Sequence, residues 1–292
     1  MALVRKGLHI RLGKKTLQIS LSRVLVYIFI LALLCFTALP LIYVVSTAFK
    51  PIDEMLKFPP QFFVRRPTMQ NFKDLILAAG SASVPFLRGV ANSVFVVVIS
   101  VFSSVIVSSL GAYSVAKLDL PCKRQIMNLV VFAIAFPSSL VRIPTYLIIK
   151  NLGLFNTYWA IILPSLGTAF NFFMMRQFCQ QIPNPLLEAA RLDGANELRI
   201  FISIVFPFLT PAWATLVVFC FMSVWNESGG LVLYITDEAM RTLPIVISSI
   251  GGGLARQGAS AAAGLLMLTP TIIIYTALQG RVIETMAHSG IK

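Results

Sequence analysis

Charged side chains gather at helical spacing in one stretch of the chain, Asn184–Phe208, NPLLEAARLDGANELRIFISIVFPF, set between long apolar runs. Asn184 can cap a helix there, and Pro185 suits its first position because proline's missing N–H would be unpaired anyway. Leu186, Ala189, Ala190 and Asp193 then fall at i, i+3, i+4 and i+7 and share one face. Two alanines at the middle of that face let another backbone or a groove come close. Asp193-Gly194 is a stop, since glycine takes the left-handed conformation without a Cβ clash. Asn196 can cap a second helix that runs through Ile200 and Phe201 into the next apolar segment. This is a surface for docking, not for reaction.

Reactive chemistry finds little footing elsewhere. The two histidines, His9 and His288, sit near opposite chain ends, which removes a histidine-based catalytic or metal cluster. Cys35, Cys122, Cys179 and Cys220 are widely spaced with no C-x-x-C, so neither a zinc site nor a structural disulfide is expected. A membrane-embedded hydrolase needs a nucleophile and a base at membrane depth, and no carboxylate lies within an apolar run. The phosphate-cradling pattern G-x-x-x-x-G-K-[ST] is missing, so any ATP that drives this protein binds on another subunit.

The elements that position the docking stretch are membrane spans. Hydrophobic residues make up 57% of the chain and charged ones 12%, against roughly 25% charged in a globular domain. The net charge of +13 is scattered between apolar runs and forms no aromatic-interleaved basic face, which excludes nucleic acid as a partner. Six runs meet the requirement of ~20 residues for ~30 Å of hydrocarbon. They are Val24–Phe49, Gly89–Ala116, Gln125–Ile149, Asn151–Met175, Ile200–Asn226 and Gln257–Gly280. The expected fold is therefore an all-α membrane protein, one domain over residues 1–292, with six transmembrane helices and both termini cytoplasmic. Of the 24 lysines and arginines, fourteen fall on the cytoplasmic side in that arrangement, and the long Lys50–Arg88 loop inflates the other side. The docking stretch, a helix over about 184–199, lands on the cytoplasmic side.

Several finer expectations follow. Pro40, Pro137, Pro144, Pro164, Pro211 and Pro270 each remove a backbone donor and tend to bend their helices. Arg142 lies 17 residues past Gln125, roughly 26 Å at ~1.5 Å per residue, so its side chain reaches the outer head groups; a substrate contact is the alternative. Pro51–Leu87 has mixed charge and reads as a small ordered cap. Leu243–Ala255 is apolar but too short to cross, hence re-entrant or superficial. Gly251, Gly252 and Gly253 give that segment a tip that can approach another protein closely.

EAARLDGANELRIFISIVFPFLTP resembles the EAA loop of ABC-importer permeases, E-A-A-x-x-x-G followed by I-x-L-P; Phe206 stands where that family usually has leucine. Thr215–Glu227, TLVVFCFMSVWNE, resembles the end of the fifth span in the carbohydrate-uptake type. Arg241-Thr242-Leu243-Pro244 resembles the R-T-L-P of the following outer loop. Asn71-Phe72 after Pro67-Thr68, and the tail through Thr269-Pro270, Gln279-Gly280-Arg281 and Ser289–Lys292, extend the likeness over nearly the full chain. Departures stand at Ser228, Gly229 and Met286. The resemblance implies a multi-pass permease of a bacterial-type inner membrane, similar in role to the smaller permease subunit of maltose-type systems. It implies a second homologous permease, two ATPase subunits that hold ATP and Mg, and an extracytoplasmic solute-binding protein. Glu188, Ala189, Ala190, Asp193 and Gly194 would dock on the ATPase, and Gly251–Gly253 would reach the binding protein. This chain itself would carry no cofactor and catalyse no reaction.

Sugars are held by aromatic faces, amides and hydroxyls, so Asn92, Asn171, Trp225 and Asn226 are the pathway candidates, with Ser93, Tyr113 and Asn128 behind them. Intramembrane amides more often bond between helices than to ligands. The rival to an ABC permease is a six-span secondary transporter, which typically carries intramembrane acids; none lies in a span here. Within the family, glycerol phosphate or an uronate oligosaccharide is the alternative solute.

Overall fold

The computed structural model describes residues 8–12, 15–19, 21–80, 86–227, 231–248 and 256–288. Its contacts divide the chain into two compact units, residues 1–72 with 253–265, and residues 73–252 with 266–292.

The first unit opens with a feature the all-α expectation missed. Strand β1 (Leu8–Leu12) pairs antiparallel with β2 (Lys15–Ile19), Leu8 opposite Ile19. Leu-His-Ile-Arg-Leu and Lys-Thr-Leu-Gln-Ile alternate apolar and polar, the period of a strand. Helix α1 (Leu21–Ala48) follows, then the short α2 (Ile52–Met55) and the start of α3 (Gln70–Gly80). The loop between them is ordered around two buried polar side chains. Glu54 is 2% exposed and accepts from the backbone N–H groups of Arg65 and Arg66, each at 3.1 Å, and from Arg66 Nε. The Arg65 N–H, with Arg66 beside it, holds the Glu54 carboxyl below the ordinary carboxylate range. Asn71 donates to the carbonyls of Ala48 and Lys50 at 2.9 and 2.8 Å, closing the end of α1. Gly258 lies against Asn71 so closely that a Cβ there would stand 2.2 Å from Asn71 Oδ1. The order expected of this segment is seen over residues 51–72.

The second unit is built on α4 (Phe86–Lys117), whose 32 residues span roughly 48 Å at ~1.5 Å each. After it come α5 (Lys123–Ala135), α6 (Ser138–Asn151), α7 (Trp159–Leu166), α8 (Ala169–Gln181), α9 (Asn184–Leu192) and α10 (Glu197–Ile200). A π-helical turn over Phe201–Val205 leads into α11 (Phe206–Phe208) and α12 (Thr210–Trp225). Beyond these lie α13 (Leu231–Tyr234), a 3₁₀ turn at Glu238–Met240, α14 (Leu243–Ser248) and α15 (Gln257–His288). Helix α4 packs against α7, α8, α12 and α14. Its buried face includes the small residues Gly89, Ser93, Ser100, Ser104, Ser108 and Ala112 among larger ones such as Val96, Val97 and Val105, and small residues are what lets helices approach closely in a membrane. At Gly111 a Cβ would press within 3.1 Å of the Phe172 ring.

Among the described residues three helices, Ser22–Ala48, Phe86–Lys117 and Gln257–Val282, are long and apolar enough to cross a bilayer alone, and up to five spans result if two bent pairs each count as one. The expected third span breaks at Pro137, with α5 and α6 at 113°. Phe136 is extended (ψ 124°) because the residue before a proline is pushed out of the helical region. The expected fifth span bends by 77° between α11 and α12, where Pro207 and Pro211 both withhold a backbone donor. Asn151–Met175 is not one helix. It runs from the last residue of α6 through a loop into α7, then breaks at Gly167 and the extended Thr168 before α8.

Candidate functional site

Helix α9 has nine residues, shorter than the ~12–15 below which an isolated helix is marginal in water, so its neighbours must hold it. Leu187 supplies the apolar anchor, 2% exposed. The polar anchor at its start is Lys117, the last residue of α4. Lys117 Nζ donates to Ile182 O at 2.5 Å, to Asn184 Oδ1 at 2.7 Å and to Gln180 O at 3.4 Å. The last carbonyls of α8 have no helical partner, and a cation there also meets the negative end of the helix dipole. This corrects the expected role of Asn184. Pro183, extended at φ −62° and ψ 128°, holds the cap position without a side-chain bond, and Asn184 is already helical. Its carboxamide oxygen faces an ammonium instead, a charge-assisted bond stronger than a neutral cap.

The other end of α9 follows the sequence reading. Gly194 sits at φ +81° with nothing within 4 Å of where a Cβ would be, so conformation alone requires glycine there. Its N–H donates to Arg191 O and that of Ala195 to Ala190 O, each at 3.0 Å. Asn196 Oδ1 accepts from Arg199 N at 2.8 Å and caps α10. Arg191 Nε donates to Glu197 Oε1 at 2.8 Å, and the Tyr113 hydroxyl of α4 donates to Glu197 Oε2. The neighbouring Glu197 carboxylate raises the Arg191 guanidinium above its ordinary range. From the Tyr113 ring, aromatic contacts run through Phe201 (5.8 Å) and Phe206 (5.7 Å) to Trp213 (3.8 Å). Phe206, the departure from leucine, fills the middle of that ladder.

With these anchors made, the opposite face of α9 is open. Glu188, Ala189, Asp193 and Gly194 are exposed and Ala190 is half-buried, while Leu186 and Leu192 are 44% and 89% exposed. Three residues that the sequence did not single out, Lys117, Arg191 and Glu197, position this face. Charge beside an amphipathic helix was the available signal, but pairing across more than sixty positions is not encoded in spacing.

The pathway candidates do not converge. Asn92 Nδ2 donates to Ala239 O and Arg241 O at 2.9 and 3.0 Å, and its Oδ1 accepts from Tyr158 Oη at 2.8 Å. Ser93 Oγ accepts from Leu243 N at 2.7 Å, and a Cβ on Gly89 would stand 3.0 Å from Val246 Cγ2. Together these seat the Arg241-Thr242-Leu243-Pro244 segment and the buried Leu243, Pro244, Ile245 and Val246 on α4. Asn171 donates to Ser104 Oγ and Thr168 Oγ1. Trp225 Nε1 donates to Met267 O, Asn226 is exposed and bonds back to Met222 O, and Asn128 is exposed. Arg142, expected to reach head groups, lies 4.0 Å from Glu227. Gly251, Gly252 and Gly253 lie outside the described residues. Among the described residues no cluster of three His, Cys, Asp or Glu could hold a metal.

Residues 75–287 match the family model described as binding-protein-dependent transport system inner membrane component. The chain is 33% identical over 271 residues to the polygalacturonan/rhamnogalacturonan transport system permease protein YtcP of Bacillus subtilis (strain 168), covering 87% of this chain and 92% of that one. Among solved structures it is similar to a chain of a bacterial ABC transporter involved in import of the acidic polysaccharide alginate, with TM-score 0.75 and 24% identity, over 90% of this chain and 98% of that one. A second similar chain comes from a bacterial alginate ABC transporter in complex with an alginate pentasaccharide-bound periplasmic protein, with TM-score 0.61 and 16% identity, over 88% and 92% of the two chains.

Proposed function

Because the chain belongs to the family of binding-protein-dependent transport system inner membrane components, we propose that it is one permease half of an ATP-driven importer of a sugar or oligosaccharide, driven through α9. The transport role and the membrane setting come with the family; the solute, the partners and the coupling surface are the proposal. One observation carries it. Helix α9 is gripped from behind by Leu187 and Lys117, while Glu188, Ala189, Asp193 and Gly194 are exposed on its other side. A nine-residue helix held so firmly while its alanine face stays open is built to receive a rigid neighbour.

In this reading two ATPase subunits bind ATP and Mg, and a second homologous permease completes the pathway. An extracytoplasmic binding protein delivers the solute. Closure of the ATPases draws the docking helices together and opens the pathway outward; hydrolysis lets them part. The six-span arrangement with cytoplasmic termini is supported by counting α1, α4, α5 with α6, α7 with α8, α10 through α12, and α15. Lys117, Arg191 and Arg199 then share the cytoplasmic end, as the positive-inside rule asks. Gly251–Gly253 would contact the binding protein. Asn226 is the exposed pathway candidate, while the amides of Asn92 and Asn171 and the indole of Trp225 are engaged within the protein.

An acidic oligosaccharide is favoured among solutes. The relative's name specifies polygalacturonan and rhamnogalacturonan, one structural neighbour's title specifies the acidic polysaccharide alginate, and Arg142, beside Glu227, would stand at the outer end. The test is to purify the chain with its natural partners and identify the ligand carried by the binding protein. An oligosaccharide is expected; an amino acid, a peptide or a metal ion on that protein, or a complex without an ATPase, contradicts the proposal.

A further inference from the structure

We propose that Tyr113 and Lys117 are the joint through which α9 moves α4, an inference that rests on the coupling role proposed above. The two side chains are four residues apart and share one face of α4. They hold opposite ends of the docking helix. Lys117 takes its beginning, through Ile182 O and Asn184 Oδ1. Tyr113 takes its end, through Glu197, which in turn holds Arg191 in the last turn of α9. One attachment would let α9 pivot. Two attachments fix its direction as well as its position, so a push on the open face becomes a displacement of α4.

The energetics fit transmission better than adhesion. Arg191 and Glu197 are 37% and 47% exposed, and exposed ion pairs contribute little to stability. What they contribute is geometry, across the turn at 193–196 where the chain would otherwise yield. Helix α4 is a suitable recipient, since it packs on α7, α8, α12 and α14 through its small-residue face. The Tyr113 ring also meets Phe201, the first residue of the π-helical turn, and π turns occur often where helices serve function.

The test uses the complete transporter in proteoliposomes with its binding protein and solute. Two quantities are read from each preparation: ATP hydrolysed per solute imported, and cross-linking from Ala189→Cys to the ATPase. In Lys117→Met the ATP consumed per solute is expected to rise about tenfold, within the usual range of coupling between sites, with cross-linking unchanged. Lys117→Arg, which keeps charge and donors, restores the ratio. Glu197→Gln, at a position 47% exposed, raises it in the same direction. An unchanged ratio in both Lys117→Met and Glu197→Gln overturns the joint. So does loss of the cross-link in either variant, since those residues would then serve assembly rather than transmission. Failure of the cross-link with Lys117 and Glu197 intact removes the coupling reading itself, and the joint with it.

Discussion

The two ends of α4 each hold a piece of chain more than sixty residues away, by opposite means. Near its beginning, Gly89, Asn92 and Ser93 grip the 239–246 segment with neutral bonds, and Asn92 and Ser93 are 8% and 2% exposed. Near its end, Tyr113 and Lys117 grip α9 and α10 through bonds in which one member is charged, the Lys117 ammonium or the half-exposed Glu197 carboxylate. A buried neutral grip is costly to break because its carbonyls lose the Asn92 donor away from water. A wet charged grip is cheap to break and easily re-formed, as a moving part requires. One end is built to stay, and the other suits the movement proposed for α9.

Breaking the first grip has the largest expected effect. Asn92→Leu leaves Ala239 O and Arg241 O without donors and the Tyr158 hydroxyl without its acceptor. The expected loss is about 2–3 kcal/mol, measured as a fall in thermal stability of the solubilised chain. Equal stability of Asn92→Leu and the unaltered protein would remove the contrast. Next comes Gly194→Ala. Its φ of +81° is unfavourable for a Cβ by roughly 1–2 kcal/mol, although space is open, and denaturation should register that loss while the chain still inserts. Glu197→Gln should cost under about 1 kcal/mol, as exposed pairs do, and should be smaller still in high salt, which screens the second grip and not the first.

The smallest effect is one of pH and lies in the first unit. Glu54 titrates below its ordinary 4.5 in the folded chain, chiefly through the Arg65 N–H. A folded value below the unfolded one stabilises above the unfolded value and loses that contribution as pH falls through the folded value. Amide exchange at Arg65 and Arg66, corrected for its intrinsic rate, should therefore rise as pH falls below 4.5. Exchange at Leu243, whose acceptor is the Ser93 hydroxyl, should not follow.

Much of this was legible in the residues. Apolar length marked α1, α4 and α15, and the Asp193-Gly194-Ala195-Asn196 run gave the stop of α9 and the cap of α10 as they occur. What escaped was set by partners distant in sequence. Asn184 reads as a cap until Lys117 arrives from α4, and Tyr113 and Asn92 read as pathway residues until Glu197 and the 239–241 carbonyls engage them. A bend was expected at Pro137 but not one of 113°, and Pro207 was not among the prolines expected to bend a span, although the residue before a proline and the lost donor both argue for a break. The pairing of β1 with β2 was written in their alternation, obscured by reading the six basic residues of the 1–23 tail only as a topology signal.

The docking role proposed for α9 requires an ATPase against its open face. The direct measurement is cross-linking from Ala189→Cys in the assembled transporter within native membranes, with and without nucleotide. An adduct to the ATPase whose yield changes with ATP is predicted. An Ala189→Cys thiol that labels freely from the cytoplasm in the assembled complex, and forms no such adduct, would contradict the account.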